Sequence, residues 1–171
     1  MKAFGAACLA AVMAAGCGYH VAGHADLLPE RIKTIAIPAF DNNTTRYRLT
    51  QSLPAAITRE FISRTRYRIV ADPEKADAVL HGGVVNYLSY PTIFDPATGR
   101  AAGIQLIVVL DLRLIDRRTG KMLYQNSGMN VQNRYEISSD QVAYFEESDT
   151  ALDRLSRDVA RTVVSAILEN F

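Results

Sequence analysis

The chain has 171 residues, with 19 Lys and Arg against 18 Asp and Glu and two cysteines. That length allows one domain burying about two thirds of the surface its unfolded chain exposes. A balance so near neutrality argues against nucleic acid or an acidic polymer as partner.

Lys2 is followed by an uncharged, alanine-rich run from Ala3 to Ala15. It is shorter than the roughly 20 apolar residues a membrane span needs, and it ends in small residues as a secretory signal does. The small residues lead directly to Gly16-Cys17, an arrangement similar to a bacterial lipoprotein signal, in which Cys17 becomes the first mature residue and carries acyl chains. Ala14 stands where a leucine is usual. The other reading is an ordinary cleaved signal that leaves a free thiol. In both, Cys8 leaves with the signal, so the mature chain has one cysteine and no internal disulfide. Acylation gives an unpaired cysteine in an exported protein a purpose. The expected organisation is a signal peptide over 1–16, a lipidated N-terminus and tether over 17–30, and one domain over 31–171.

Along that domain, IKTIAIPAF (Ile32 to Phe40) has the β-branched alternation of a strand, with Pro38 marking an edge or a terminus. After the turn-forming DNNTTRY, Leu49, Leu53, Ile57 and Phe61 recur every four residues and draw one stripe on a helix. Pro54 fits if the first turn starts around Thr50 to Ser52; otherwise the helix kinks there. RYRIV (Arg66 to Val70) predicts a short strand and DPEKAD a turn. AVLHGGVVNYLSY (Ala78 to Tyr90) predicts a strand in which Gly82-Gly83 invites a bulge or a close backbone approach. A loop from Pro91 to Gly103 follows, with Arg100 at its tip.

The clearest pattern is the strand in which Ile104, Leu106, Val108, Leu110, Leu112 and Leu114 alternate with Gln105, Asp111 and Arg113. DRRTGK (Asp116 to Lys121) is a hairpin turn, and KMLYQNSGMNVQNRYEI returns as an antiparallel partner. The last element is a helix with Leu152, Leu155, Val159, Val163, Ala166 and Ile167 on one stripe, capped by Ser148 and Asp149 or beginning earlier near Gln141. These elements predict an α+β two-layer sandwich, with two helices on one face of a mostly antiparallel sheet of four or five strands. The opposite face would carry Gln105, Ile107, Val109, Asp111 and Arg113, too apolar for a purely solvated surface and too polar for a core.

Chemistry-bearing motifs are scarce. There is no G-x-S-x-G elbow, no phosphate-cradling glycine loop and no carboxylate pair in a recognisable motif, so neither an enzyme nor a cofactor is expected. His20, His24 and His81 lack metal-ligand spacing. Charge is unevenly spread, with six arginines and only Glu60 as an acid between Arg46 and Arg68. Arg66 and Arg68 are candidate contacts to a polyanion or lipid phosphate, or a solvated face. Arg100 and Arg113 are further candidates.

The series GCGYHV, KTIAIPAFDNNT, REF, ADAVLHGGVVNY, DPATGR, LRLIDRRTGKMLY and ALDRLSRDVARTVVSAILENF resembles the LPS-assembly lipoprotein LptE family from Cys17 to the last helix. The resemblance implies an outer-membrane lipoprotein facing the periplasm, with two helices against a sheet. It implies a plug inside the LptD barrel that assists barrel assembly and lipopolysaccharide delivery, with no catalysis. Gly18, where an aspartate would hold a lipoprotein at the inner membrane, is compatible with that sorting. No family motif identifies lipopolysaccharide-contacting residues here. The rival readings are a lipoprotein activator of another envelope enzyme, such as a peptidoglycan synthase, and a secreted hydrolase.

Overall fold

The computed structural model describes residues 28–136 and 141–169, with the backbone alone over 141–149. The predicted signal, Cys17, His20 and His24 lie outside the described residues. In chain order the elements are β1 (Thr34–Ala36), β2 (Asp41–Asn42), α1 (Leu49–Arg64), β3 (Arg68–Val70), β4 (Ala78–Phe94), β5 (Ala101–Asp116), β6 (Met122–Glu136) and α2 (Gln141–Glu169). A 3-10 turn over Pro73–Lys75, capped by the Asp72 carboxylate on the Glu74 amide, leads into β4.

The sheet has six strands in the order β3-β1-β4-β5-β6, with β2 also on β4. It is mixed, which corrects the expected mostly antiparallel sheet of four or five strands. The physical reason is the connection. α1 carries the chain back before β3 starts, so β1 and β3 run parallel, and the short 3-10 segment returns it again so that β4 runs parallel to β1. The predicted strand over Ile32 to Phe40 is divided in two. Pro38 has no amide hydrogen for a ladder, so the chain leaves the sheet after Ala36 and rejoins the same edge of β4 at Asp41.

Both helices cover one face. Leu106, Val108, Leu110, Leu112 and Leu114 on β5 are buried in one cluster with Leu49, Leu53, Ile57 and Phe61 of α1 and Leu155, Val159, Val163 and Ile167 of α2. Each such side chain contributes about 1.5–3 kcal/mol on burial, so the two stripes account for the helices being held. Ser52 bonds Ser156 at 3.1 Å and Arg64 bonds Ser165 at 2.8 Å, so the two helices run in the same direction. A small second cluster of Ala36, Ala76 and Val79, joined by Val70, lies on the other face.

α1 starts at Leu49, before the predicted Thr50 to Ser52, and so holds Pro54 in its interior. The missing proline amide would have bonded the Thr50 carbonyl; the Phe40 amide takes that oxygen instead, at 3.2 Å. At the other end, the amide and hydroxyl of Thr65 both reach the Phe61 carbonyl, at 3.0 and 2.7 Å. α2 begins at Gln141, the earlier of the two predicted starts.

Candidate interaction surface

The face of β4, β5 and β6 turned away from the helices follows from the register. On β4 the pairing passes from Val84 opposite Leu110 to Asn86 opposite Val109, so one extra residue on β4 forms a bulge. The bulge therefore falls just after Gly82-Gly83, which themselves keep regular pairing with Leu112 and Asp111. Beyond it the alternation inverts: Tyr87 joins the helix-side core, and Leu88 and Tyr90 turn to the open face.

There Leu88 lies opposite Ile107 and Tyr90 opposite Gln105, while Gln132 and Asn130 flank Ile107 and Val109 from β6. Ile107 and Val109 are half-buried, whereas Asp111 and Arg113 are exposed. The face is thus an apolar strip bordered by amides and charges. Its polar end opens into a cleft lined by Asp41, His81, Gly83, Asp111 and Arg113 together with Pro38 and Pro73. Asp111 accepts a 2.8 Å bond from the amide of Gly128, which bends β6 with φ 85°.

The predicted loop over Pro91 to Gly103 is mostly strand. β4 continues to Phe94 and β5 resumes at Ala101, leaving a turn over 95–100 in which Gly99 takes φ 67°. The Asp95 carboxylate accepts from the Ala97 amide, and this bond, with help from Thr98, holds its pKa below the ordinary value. The sequence placed a loop here because Pro91 and Gly103 signal one. In the structure Pro91 sits on the edge of β4 that, among the described residues, carries no neighbour beyond β2. Leu88, Tyr90, Ile93 and Phe94 are exposed along this arm. The bulge inverts the alternation at Leu88 and Tyr90 without marking the sequence, and two further register shifts follow at Ile93 and Phe94. Behind the arm, the Arg46 guanidinium lies 5.3 Å from the Tyr87 ring centroid.

The four candidate arginines do not form one surface. Arg113 lies on the open sheet face, opposite His81 and Gln125. Arg100 closes the hairpin turn, its carbonyl accepting from Asp95. Arg66 and Arg68 are exposed at the start of β3, on the far side of the sheet order from β6.

At that end of the sheet the chain enters through Leu28, whose amide reaches the Tyr67 hydroxyl. Arg31 pairs there with Asp116, whose carboxylate is buried and also accepts from the amides of Arg118 and Thr119. The Arg31 guanidinium, then Thr119, hold the Asp116 pKa far below the usual carboxylate range despite burial. Asp77 is lowered as well, first by the Lys33 amide and then by Thr34. No sequence motif marks Arg31 and Asp116 as a pair. They are 85 residues apart and only the fold joins them.

Among the described residues no group of three or more His, Cys, Asp or Glu is placed to hold a metal ion, and no helix is long and apolar enough to cross a membrane. A family model described as lipopolysaccharide-assembly, LptE, matches residues 32–167. The chain belongs to the LptE family. It is therefore a lipopolysaccharide-assembly protein from a family of envelope lipoproteins that are assembly factors and not enzymes.

Solved structures share the LptE fold. A putative lipoprotein from Caulobacter crescentus CB15 aligns with a TM-score of 0.53 at 17% identity, over 81% of this chain and 88% of that one. The rare lipoprotein B from Shewanella oneidensis gives 0.51 at 11%, over 80% and 95%. An uncharacterized lipoprotein B from Nitrosomonas europaea gives 0.52 at 17%, over 90% and 97%. At these identities the likeness speaks for the fold alone. No curated protein matches the chain in sequence.

Proposed function

We propose that this LptE-family protein is an outer-membrane lipoprotein, anchored by acyl chains on Cys17 and facing the periplasm. Its domain fills the lumen of an LptD-like β-barrel, helps that barrel assemble and assists lipopolysaccharide delivery to the cell surface. Residues 1–16 act as the signal, 17–30 as the lipidated tether and 31–171 as the plug. Two or three acyl chains suffice for stable attachment, where one would be marginal.

The observation that carries the reading is the face of β4, β5 and β6 that no helix among the described residues covers. Transmembrane barrels turn a polar interior toward whatever fills them. A plug therefore needs a surface that is neither a dry core nor fully solvated, and the strip of Leu88, Ile107 and Val109 bordered by Gln132, Asn130 and Arg113 has that character. Arg113 would meet the barrel wall and Arg100, at the tip of the arm, the wall or lipopolysaccharide. Arg66 and Arg68 have phosphate-binding chemistry but lie at the β3 edge of the sheet, away from β5 and β6.

Pull-down of the tagged protein from detergent-solubilised outer membranes tests the reading. Recovery of a large β-barrel protein in stoichiometric amount is expected. Recovery of an inner-membrane synthase without a barrel would overturn it.

A further inference from the structure

The end of the sheet where the chain enters the domain carries more cations than its acids can neutralise. The starts of β1 and β3, the entry to β4 and the β5–β6 turn are stitched together there. Arg68 donates its amide to the Lys33 carbonyl at 2.9 Å, Arg117 donates its amide to the Asp77 carbonyl at 2.9 Å, and Arg31 reaches Asp116. The acids of this end are largely spent. Asp116 is held by Arg31, Glu74 by Arg117 and Asp72 by Lys75, while Asp77 caps the amides of Lys33 and Thr34.

Lys33, Arg66, Arg68, Arg118 and Lys121 are exposed and have no ion-pair partner among the described residues. Glu30 at the chain entry and Glu169 at the end of α2 are the other acids nearby. Two large apolar side chains are also exposed here, Ile62 in the last turn of α1 and Met122 at the start of β6.

We infer that this end is a docking face for the anionic phospholipid headgroups of the bilayer that holds the acyl anchor. The inference rests on the acylation of Cys17 proposed above. From Cys17 to Leu28 there are eleven residue steps, which span about 40 Å at most when fully extended. The anchored chain thus enters the domain at its cationic end and keeps that end near the membrane surface, while the exposed arm of Leu88 to Phe94 projects from the opposite end. Clustered Lys and Arg beside a lipid anchor are attracted to an anionic leaflet, and exposed apolar side chains add interfacial contact. The consequence is orientation. Before the domain enters a barrel, docking by this end points the open sheet face and the arm away from the leaflet.

The test uses the acylated full-length protein carrying Thr119→Cys in the β5–β6 turn, labelled with an environment-sensitive dye and incorporated into vesicles. Emission should shift to the blue on phosphatidylcholine vesicles containing about one third phosphatidylglycerol and stay unshifted on phosphatidylcholine alone. Salt at about 1 M should reverse the shift, because the screening length falls to roughly 3 Å. The combined Lys33→Gln, Arg66→Gln and Arg68→Gln variant should lose most of it, each cation near an anionic surface contributing about a fivefold factor. All three side chains are exposed, and an unchanged unfolding midpoint confirms that the variant is folded.

Equal emission on neutral and anionic vesicles would overturn the inference. So would a shift seen only with lipopolysaccharide in the vesicles, which would return Arg66 and Arg68 to that ligand. Failure of acylation registers separately, as a second labelled thiol at Cys17 and loss of the protein from neutral vesicles.

Discussion

The ring of Phe40 packs against Gly82, so close that a Cβ built at Gly82 would stand 2.4 Å from two of its carbons. Phe40 is itself 2% exposed, and its amide satisfies the carbonyl that Pro54 leaves open in α1. The ring therefore has nowhere to go. Gly82→Ala should destabilise the domain by about 1–3 kcal/mol through overpacking. Phe40→Ala, which empties the site, should cost about 3–5 kcal/mol. In the double variant the alanine at 82 relieves part of the cavity, so the two costs should not add. Urea unfolding of the four proteins measures all three terms.

The buried Asp116 carboxylate ties the chain entry to the β5–β6 turn, and its pKa is held low by Arg31 and Thr119. A carboxylate with a folded pKa below its unfolded one stabilises fully above the unfolded value, near 4, and loses that contribution as pH falls toward the folded value. Asp77, lowered by the Lys33 amide and Thr34, acts in the same sense and the same window. Asp116→Asn should lower the thermal midpoint at pH 7 and flatten its decline below pH 4. Arg31→Gln should lower the midpoint and leave more of the acid dependence, since Thr119 and the Arg118 amide still hold the carboxylate. Melting curves between pH 2 and 7 separate the two.

The elements that were legible in the sequence are those whose order is local. β5 announced itself by strict alternation, and the buried Leu106 to Leu114 series lies on the helix face as that pattern requires. The stripes of α1 and α2 were legible for the same reason. What escaped depends on contacts between distant segments. Pro54 lies inside α1 because Phe40, outside the helix, supplies the missing donor. The bulge after Val84 adds no residue type that marks it, yet it moves Leu88 and Tyr90 across the sheet. β2 is two residues long, too short to have a pattern, and exists because β4 offers it an edge. The four arginines share a chemistry, but strand order alone decides that Arg66 and Arg68 are far from Arg113.

Polar contacts fasten α2 to β6. Tyr135 and Asn133 on β6 both donate to the Asp158 carboxylate, at 2.9 and 2.6 Å. Burial, then the bond to Asp158, pushes the Tyr135 pKa well above the usual phenol value. The group is therefore neutral through the physiological range, and its stabilisation is complete below about pH 10 and lost as pH rises through the higher folded value. Tyr135→Phe should cost about 1 kcal/mol, since Asn133 still serves Asp158. Asp158→Ala strands two donors and should cost more, about 1–3 kcal/mol. Chemical denaturation at pH 7 ranks them, and the loss of a late-titrating phenol from the ultraviolet spectrum of Tyr135→Phe checks the assignment.

If the open sheet face meets a barrel wall, changes there should break the complex and spare the fold. Leu88 is 47% exposed and Arg113 is exposed, and neither contributes to the core of the domain. Leu88→Asp places a charge in the apolar strip opposite Ile107, and Arg113→Glu reverses the charge at its polar end. Surface substitutions of this kind shift folding stability by about 0.5 kcal/mol or less. A charge forced into an interface without a partner costs several times that. The pair of changes should therefore abolish recovery of the barrel in a pull-down while the unfolding midpoint stays within a few degrees of the parent. An undiminished barrel yield from the double variant would move the contact surface elsewhere, with the arm residues Ile93 and Phe94 next to be changed.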